Sequence, residues 1–131
     1  MSEQITILVV EDEPLLLEAI SKKLEVSGMK PLPCASGQLA VETLKKTEKL
    51  PDAIWLDYQL SDMDGITFMG KLKEEQKWTE IPVVVVSNSM SNEKVYNMLA
   101  LGAKQYLLKA EHRLDDIIET VEKLITDKKK K

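Results

Sequence analysis

Cysteine and histidine, the side chains of thiolate and imidazole metal sites, occur once each among the 131 residues. The lone Cys34 excludes an intramolecular disulfide and any metal centre built on several thiolates. His112, between Glu111 and Arg113, has no second histidine with which to share a metal and reads as a surface residue. No stretch approaches the roughly 18 apolar residues of a membrane span. Met1-Ser2-Glu3-Gln4 is not a basic segment followed by an apolar one, so the expectation is a soluble, cytoplasmic protein without membrane attachment. Excess charge is also scarce: 18 basic against 22 acidic residues leave a net −4, which disfavours nucleic acid and anionic membrane as partners. Charge segregates only at Lys128-Lys129-Lys130-Lys131, read as part of a disordered tail, 127–131, after a domain spanning 1–126. There is no internal repeat, linker or other low-complexity segment.

What is present suits one globular domain with a real core, since 44% of residues are hydrophobic and 31% charged. Ile5 to Val10 is a near-continuous β-branched run that stops at Glu11-Asp12-Glu13, the pattern of a strand buried on both faces. Pro14 opens a helix with Leu16, Leu17, Ile20 and Leu24 at helical spacing, closed by Gly28. Met29 to Cys34 is a second strand, and Pro31 and Pro33, which cannot donate to a ladder, place it at a sheet edge. Ser36 can cap a helix with Ala40, Val41 and Leu44 inward.

A third strand ends at Asp57, and a helix from about Gly65 carries Ile66, Phe68, Met69 and Leu72. Ile81 to Val86 is the most apolar strand and is expected at the sheet centre, ending at Ser87-Asn88-Ser89. Ser91 or Asn92 can cap a fourth helix carrying Val95, Met98 and Leu99, closed at Gly102. Lys104 to Leu108 mixes polar and apolar residues and reads as the opposite edge. The last helix shows Leu114, Ile117, Ile118, Val121, Leu124 and Ile125 on one face. Strict alternation predicts a doubly wound, flavodoxin-like α/β fold: five parallel strands in the order 2-1-3-4-5, with helices on both faces.

Such a sheet binds ligands beyond the carboxyl ends of its strands, where the strand order reverses. Glu11 and Asp12, Asp57, Ser87 and Lys109 are delivered there from four separate strands. Each alone is an ordinary turn acid, loop hydroxyl or solvated charge; together they define a crevice. Three clustered carboxylates repel one another, which a hard divalent cation relieves. Mg²⁺, with its preference for a few oxygen ligands and retained waters, fits better than a Ca²⁺ cage. The predicted ligands are Asp12, Asp57 and the main-chain carbonyl of Gln59, with Glu11 acting largely through water. A carboxylate beside Mg²⁺ and an ammonium is set up to attack phosphorus and form an acyl phosphate.

The set Glu11-Asp12, Asp57, Ser87, Tyr106 and Lys109 resembles the receiver domain of two-component response regulators, of the stand-alone chemotaxis type, over essentially the whole chain. The resemblance implies that Asp57 accepts a phosphoryl group from a phosphohistidine on a sensor histidine kinase or phosphotransfer protein, or from acetyl phosphate. It implies that Lys109 supplies counter-charge, that Ser87 moves to the phosphoryl group, and that Tyr106 turns inward behind it. The face of helix four, strand five and helix five then changes its binding of a downstream protein. Self-phosphorylation with autodephosphorylation neither very fast nor extremely slow is expected at Asp57, since Gln59 and Ser89 provide no base, rather than turnover of an external substrate.

Four positions depart from the family pattern. Ser61 and Ala110 stand where proline is usual, Asn88 where a small residue is usual, and Ser87 replaces the commoner threonine. A looser loop at Ser61, a trans Lys109-Ala110 peptide with some displacement of Lys109, and narrower access past Asn88 are expected. The alternatives are a receiver-shaped interaction module that no longer uses phosphate and a Mg²⁺ phosphohydrolase. The latter typically carries its nucleophile at the end of strand one. A flavin-binding protein lacks support, since no hydroxyl-rich phosphate loop follows strand one.

Overall fold

The computed structural model describes residues 4–129. Five strands, β1 (Thr6–Val10), β2 (Lys30–Cys34), β3 (Ala53–Asp57), β4 (Val83–Ser87) and β5 (Gln105–Leu108), alternate with α1 (Pro14–Val26), α2 (Gly37–Lys46), α3 (Gly65–Leu72), α4 (Asn92–Ala100) and α5 (Leu114–Lys129). All strands pair in parallel in the order β2-β1-β3-β4-β5, as the alternation predicts. β2 is an edge for the reason its prolines suggest. Lys30 donates its amide to the Ile5 carbonyl, so residues 30, 32 and 34 aim their amides at β1. Pro31 and Pro33, one residue out of phase, turn their missing N–H to the open side.

The strand period of two divides the central side chains between two cores. Leu8, Val10, Ile54, Leu56 and Val85 pack with residues of α2, α3 and α4, including Ala40, Phe68 and Met98. Ile7, Val9, Trp55, Val84 and Val86 pack on the other face with Ile20 and Leu24 of α1 and Ile117 and Val121 of α5. Burial on both faces makes β1, β3 and β4 continuous apolar runs.

The structure differs from the sequence reading at three local places. Leu99 of α4 is exposed, because it follows Met98 by one residue and lies about 100° around the helix from that buried position. α5 continues through Asp127, Lys128 and Lys129, where a disordered tail was expected, while Lys130 and Lys131 lie outside the described residues. Its last lysines complement the negative end of the helix dipole, and the Lys128 ammonium donates to the Glu80 carbonyl. A 3-10 turn at Gln76–Glu80, absent from the sequence reading, buries Trp78 between α3 and β4.

α1 supplies an internal comparison, since Leu24 is 0% and Leu15 77% exposed on one helix. Leu24→Ala is expected to lower unfolding stability by about 2–5 kcal/mol, and Leu15→Ala to stay within roughly 0.5 kcal/mol of wild type. Chemical denaturation of the two variants checks this, and comparable losses would contradict the assigned packing.

Candidate functional site

The carboxyl ends of β1, β3, β4 and β5 converge. The Glu11 amide prolongs the β1–β2 ladder by donating to the Cys34 carbonyl at 3.1 Å, which turns the Glu11 side chain inward. Glu11 is 2% exposed: Oε2 accepts the Glu13 amide at 3.1 Å and Oε1 accepts the Lys109 ammonium at 3.1 Å. Asp57 ends β3 and is also buried, with Oδ2 3.4 Å from Lys109 Nζ and Oδ1 accepting the Gln59 amide at 3.4 Å. Asp12 is half-buried beside them, and one oxygen from each of Glu11, Asp12 and Asp57 lies within 4.8 Å of the others.

Lys109 thus reaches two carboxylates although Ala110 follows it and no peptide among the described residues is cis. The expected displacement of Lys109 does not prevent either contact. Glu11 contacts Lys109 directly, a partnership the sequence reading missed.

The electrostatics follow from this geometry. Burial pushes the Asp57 carboxyl up, the Glu11 charge pushes it further, and Lys109 offsets only part, so its pKa rises from 3.8 to about 6. Burial works against the charged form of Lys109, but the Asp57 and Glu11 carboxylates outweigh it and raise its pKa. One ammonium is therefore too little positive charge for the acids it faces. Three oxygen donors within reach of a single ion fit a hard cation such as Mg²⁺.

The loop from β3 to α3 is held firmly, against the expectation of looseness at Ser61. The Asp62 carboxylate accepts the amides of Gly37 at 3.0 Å and Gln38 at 2.9 Å, tying the loop to the start of α2. Burial opposes its charge, yet these amides hold the Asp62 pKa below its ordinary value. Leu60 donates to the Met63 carbonyl, Gln59 bridges to Asp64, and Asp64 caps α3 through the Thr67 amide at 2.9 Å. The main chain at Gln59 is thereby fixed next to Asp57.

Ser87 ends β4, buried, and its hydroxyl oxygen accepts the Ser89 amide at 3.3 Å. It has no hydrogen bond to Asp57 among the described residues. Tyr106 is 7% exposed and its hydroxyl donates to the Ser89 carbonyl at 2.9 Å. The inward position, expected to follow phosphorylation, is already adopted here, because a main-chain carbonyl of this chain suffices to hold the phenol. Asn88 is exposed beside Ser87.

A carboxyl whose folded pKa lies above its unfolded value binds its proton more tightly in the folded state. Its contribution to stability is present below about pH 4 and lost as pH rises through about 6. Asp57→Asn is therefore expected to match wild type near pH 4 in metal-free buffer and to exceed it by on the order of 2 kcal/mol above pH 7. Thermal unfolding in a chelating buffer from pH 4 to 8 measures the difference. A gap that does not change with pH would refute the electrostatic account.

Residues 7–122 match the family model described as the response regulator receiver domain. Over 103 residues, 79% of this chain, it is 37% identical to the phosphate regulon transcriptional regulatory protein PhoB of Escherichia coli. Over a stretch of the same length it is 33% identical to the transcriptional regulatory protein KdpE of Mycobacterium tuberculosis. These matches cover 44% and 43% of the two relatives, so the chain spans less than half their length. The receiver domain of a Francisella response regulator superposes with a TM-score of 0.84 at 25% identity, covering 95% of this chain and 99% of that one. The chemotaxis protein CheY4 of Vibrio cholerae shares the fold, with a TM-score of 0.84 at 21% identity over 92% of this chain and 98% of its own. The family match begins at the second residue of β1, ends within α5 and includes every residue of the crevice, and the chain belongs to the receiver domains of two-component response regulators.

Proposed function

We propose that this chain is a phosphorylation-dependent switch in which Asp57 accepts a phosphoryl group from a phosphohistidine on a sensor histidine kinase or phosphotransfer protein. The observation that carries this reading is Lys109 Nζ, 3.1 Å from Glu11 and 3.4 Å from Asp57 at the end of β3. An Asp57 oxygen attacks phosphorus, the bond from phosphorus to the donor imidazole breaks, and the electron pair leaves with the ring nitrogen. Lys109 neutralises charge on the transferred oxygens and keeps the nucleophile oriented.

Asp12, Asp57 and the Gln59 carbonyl would hold Mg²⁺, with Glu11 acting largely through water because one of its oxygens is committed to Lys109. The ion supplies neutralisation of phosphoryl charge and relief of repulsion among the acids. Ser87 then donates its hydroxyl to the phosphoryl group, and Tyr106 supports the rearranged loop behind it.

The consequence is a changed surface of α4, β5 and α5 for a downstream protein. Shifting a switch from 1:99 to 99:1 requires roughly 5.5 kcal/mol. Charged hydrogen bonds contribute about 1.5–3 kcal/mol each, so the Ser87 and Lys109 contacts, with one or two amides, supply most of that. We assign residues 1–126 to the receiver unit and a cytoplasmic location. No described helix is long and apolar enough to cross a membrane.

Trp55 lines a cavity of about 220 Å³ together with Lys109, and so offers an optical signal from the site. Acetyl phosphate or beryllofluoride is expected to change its fluorescence only with Mg²⁺, and acetyl phosphate to leave acid-labile phosphate on the protein. Asp57→Asn should lose both responses, and Lys109→Gln should slow phosphorylation by on the order of 100-fold. Absence of a Mg²⁺-dependent response and of labile phosphate in the wild type would favour a receiver-shaped interaction module instead.

A further inference from the structure

The loop joining β4 to α4 is held by a side chain that the phosphoryl chemistry leaves unused. Ser91 caps α4 by accepting the Lys94 amide at 3.1 Å, so Lys94 stands in the first helical turn. A cation there faces the positive end of the helix dipole, which is unfavourable for the helix itself. Its ammonium instead reaches back to the loop, 2.9 Å from the Ser89 hydroxyl oxygen and 5.1 Å from the centre of the Tyr58 ring. Both distances suit a favourable contact, a charged hydrogen bond in one case and a cation over an aromatic face in the other.

These two anchors are not arbitrary neighbours. Ser89 receives the Tyr106 hydroxyl on its carbonyl and gives its amide to the Ser87 hydroxyl oxygen. Tyr58 directly follows Asp57, and its ring centre lies 6.1 Å from that of Tyr106. Lys94 therefore closes a ring of side chains from α4, the β4–α4 loop, β5 and the end of β3. Asn88 and Ser89 are exposed and polar, so their side chains bury no apolar surface that would pin this loop. The Lys94 contact adds a side-chain restraint to the two main-chain hydrogen bonds at Ser89.

We propose that Lys94 is a positioning residue for the switch: by gripping Ser89 and Tyr58 it holds the β4–α4 loop in the form whose Ser89 carbonyl keeps Tyr106 inward. Removing the grip lets the loop relax, weakens the Tyr106 hydrogen bond and exposes the phenol. The consequence for Asp57 phosphorylation rests on the function proposed above; the effect on Tyr106 does not.

The chain has three tyrosines, and Tyr96 is exposed, so a Tyr96→Phe background leaves two buried rings to follow. In that background, nitration of Tyr106 by tetranitromethane, located by peptide mass, is expected to quicken on the order of fivefold in Lys94→Met. Lys94→Arg, which keeps a cationic donor, should restore slow nitration, and Ser89→Ala, which leaves the Tyr58 contact, should quicken it by less than Lys94→Met does. Combining Lys94→Met with Ser89→Ala should add nothing beyond Lys94→Met alone, because the Ser89 contact is already lost with the ammonium. Unchanged nitration in Lys94→Met, failure of Lys94→Arg to restore it, or fully additive effects in the double variant would each overturn the proposal. Acetyl phosphate then supplies the second arm, with phosphorylation of Lys94→Met expected to slow severalfold. A wild type that does not become phosphorylated defeats the proposed function while the nitration series still decides the role of Lys94.

Discussion

One ammonium between two buried carboxylates is the constraint on which this structure turns. Lys109 sits on Glu11 and Asp57 at the carboxyl edge of the sheet, with Asp12 adjoining. Such an arrangement is unfavourable in the bare polypeptide, since burial first and the Glu11 charge second both push the Asp57 carboxyl up. It persists because each acid continues a strand that is packed on both faces and cannot retreat towards water. The two cores built on Phe68 and Met98 on one side and on Ile20, Leu24 and Val121 on the other therefore serve chemistry as much as stability. They keep like charges close enough that a hard cation would relieve the conflict.

Sequence and structure agree best where a physical signal is repeated along the chain. The two prolines of β2, the apolar runs of β1, β3 and β4 and the alternation of elements were enough to read the sheet and its order. The acids and the lysine of the crevice were legible for the same reason, since a residue that ends a buried strand has a determined place. Legibility fails where one residue decides. Leu99 follows the composition of an apolar stripe but not its angle, and Lys128 and Lys129 look like a solvated tail although they complete a helix.

The restraints on the β3–α3 and β4–α4 loops were illegible for a different reason. Lys94 on Tyr58 and Asp62 on Gly37 join positions far apart in the chain, and neither pair carries a motif. Ser61 and Ala110, where prolines are usual in the family, suggested slack. The loop after β3 instead derives its rigidity from a carboxylate that accepts two amides, and Lys109 keeps its contacts across a trans peptide. Rigidity lost from the backbone is replaced by side-chain hydrogen bonds that only the folded chain brings together.

The junction of Asp62 with α2 also limits how the sequence can drift. A Cβ on Gly37 would lie 2.5 Å from Met63 Sδ, so a side chain there requires the flexible Met63 thioether to swing aside. Replacing Asp62 alone leaves the Gly37 and Gln38 amides without their acceptor. Asp62 is thus tied to α2 through main-chain amides, which tolerate changes of side chain at 38, while position 37 is coupled to 63 by packing.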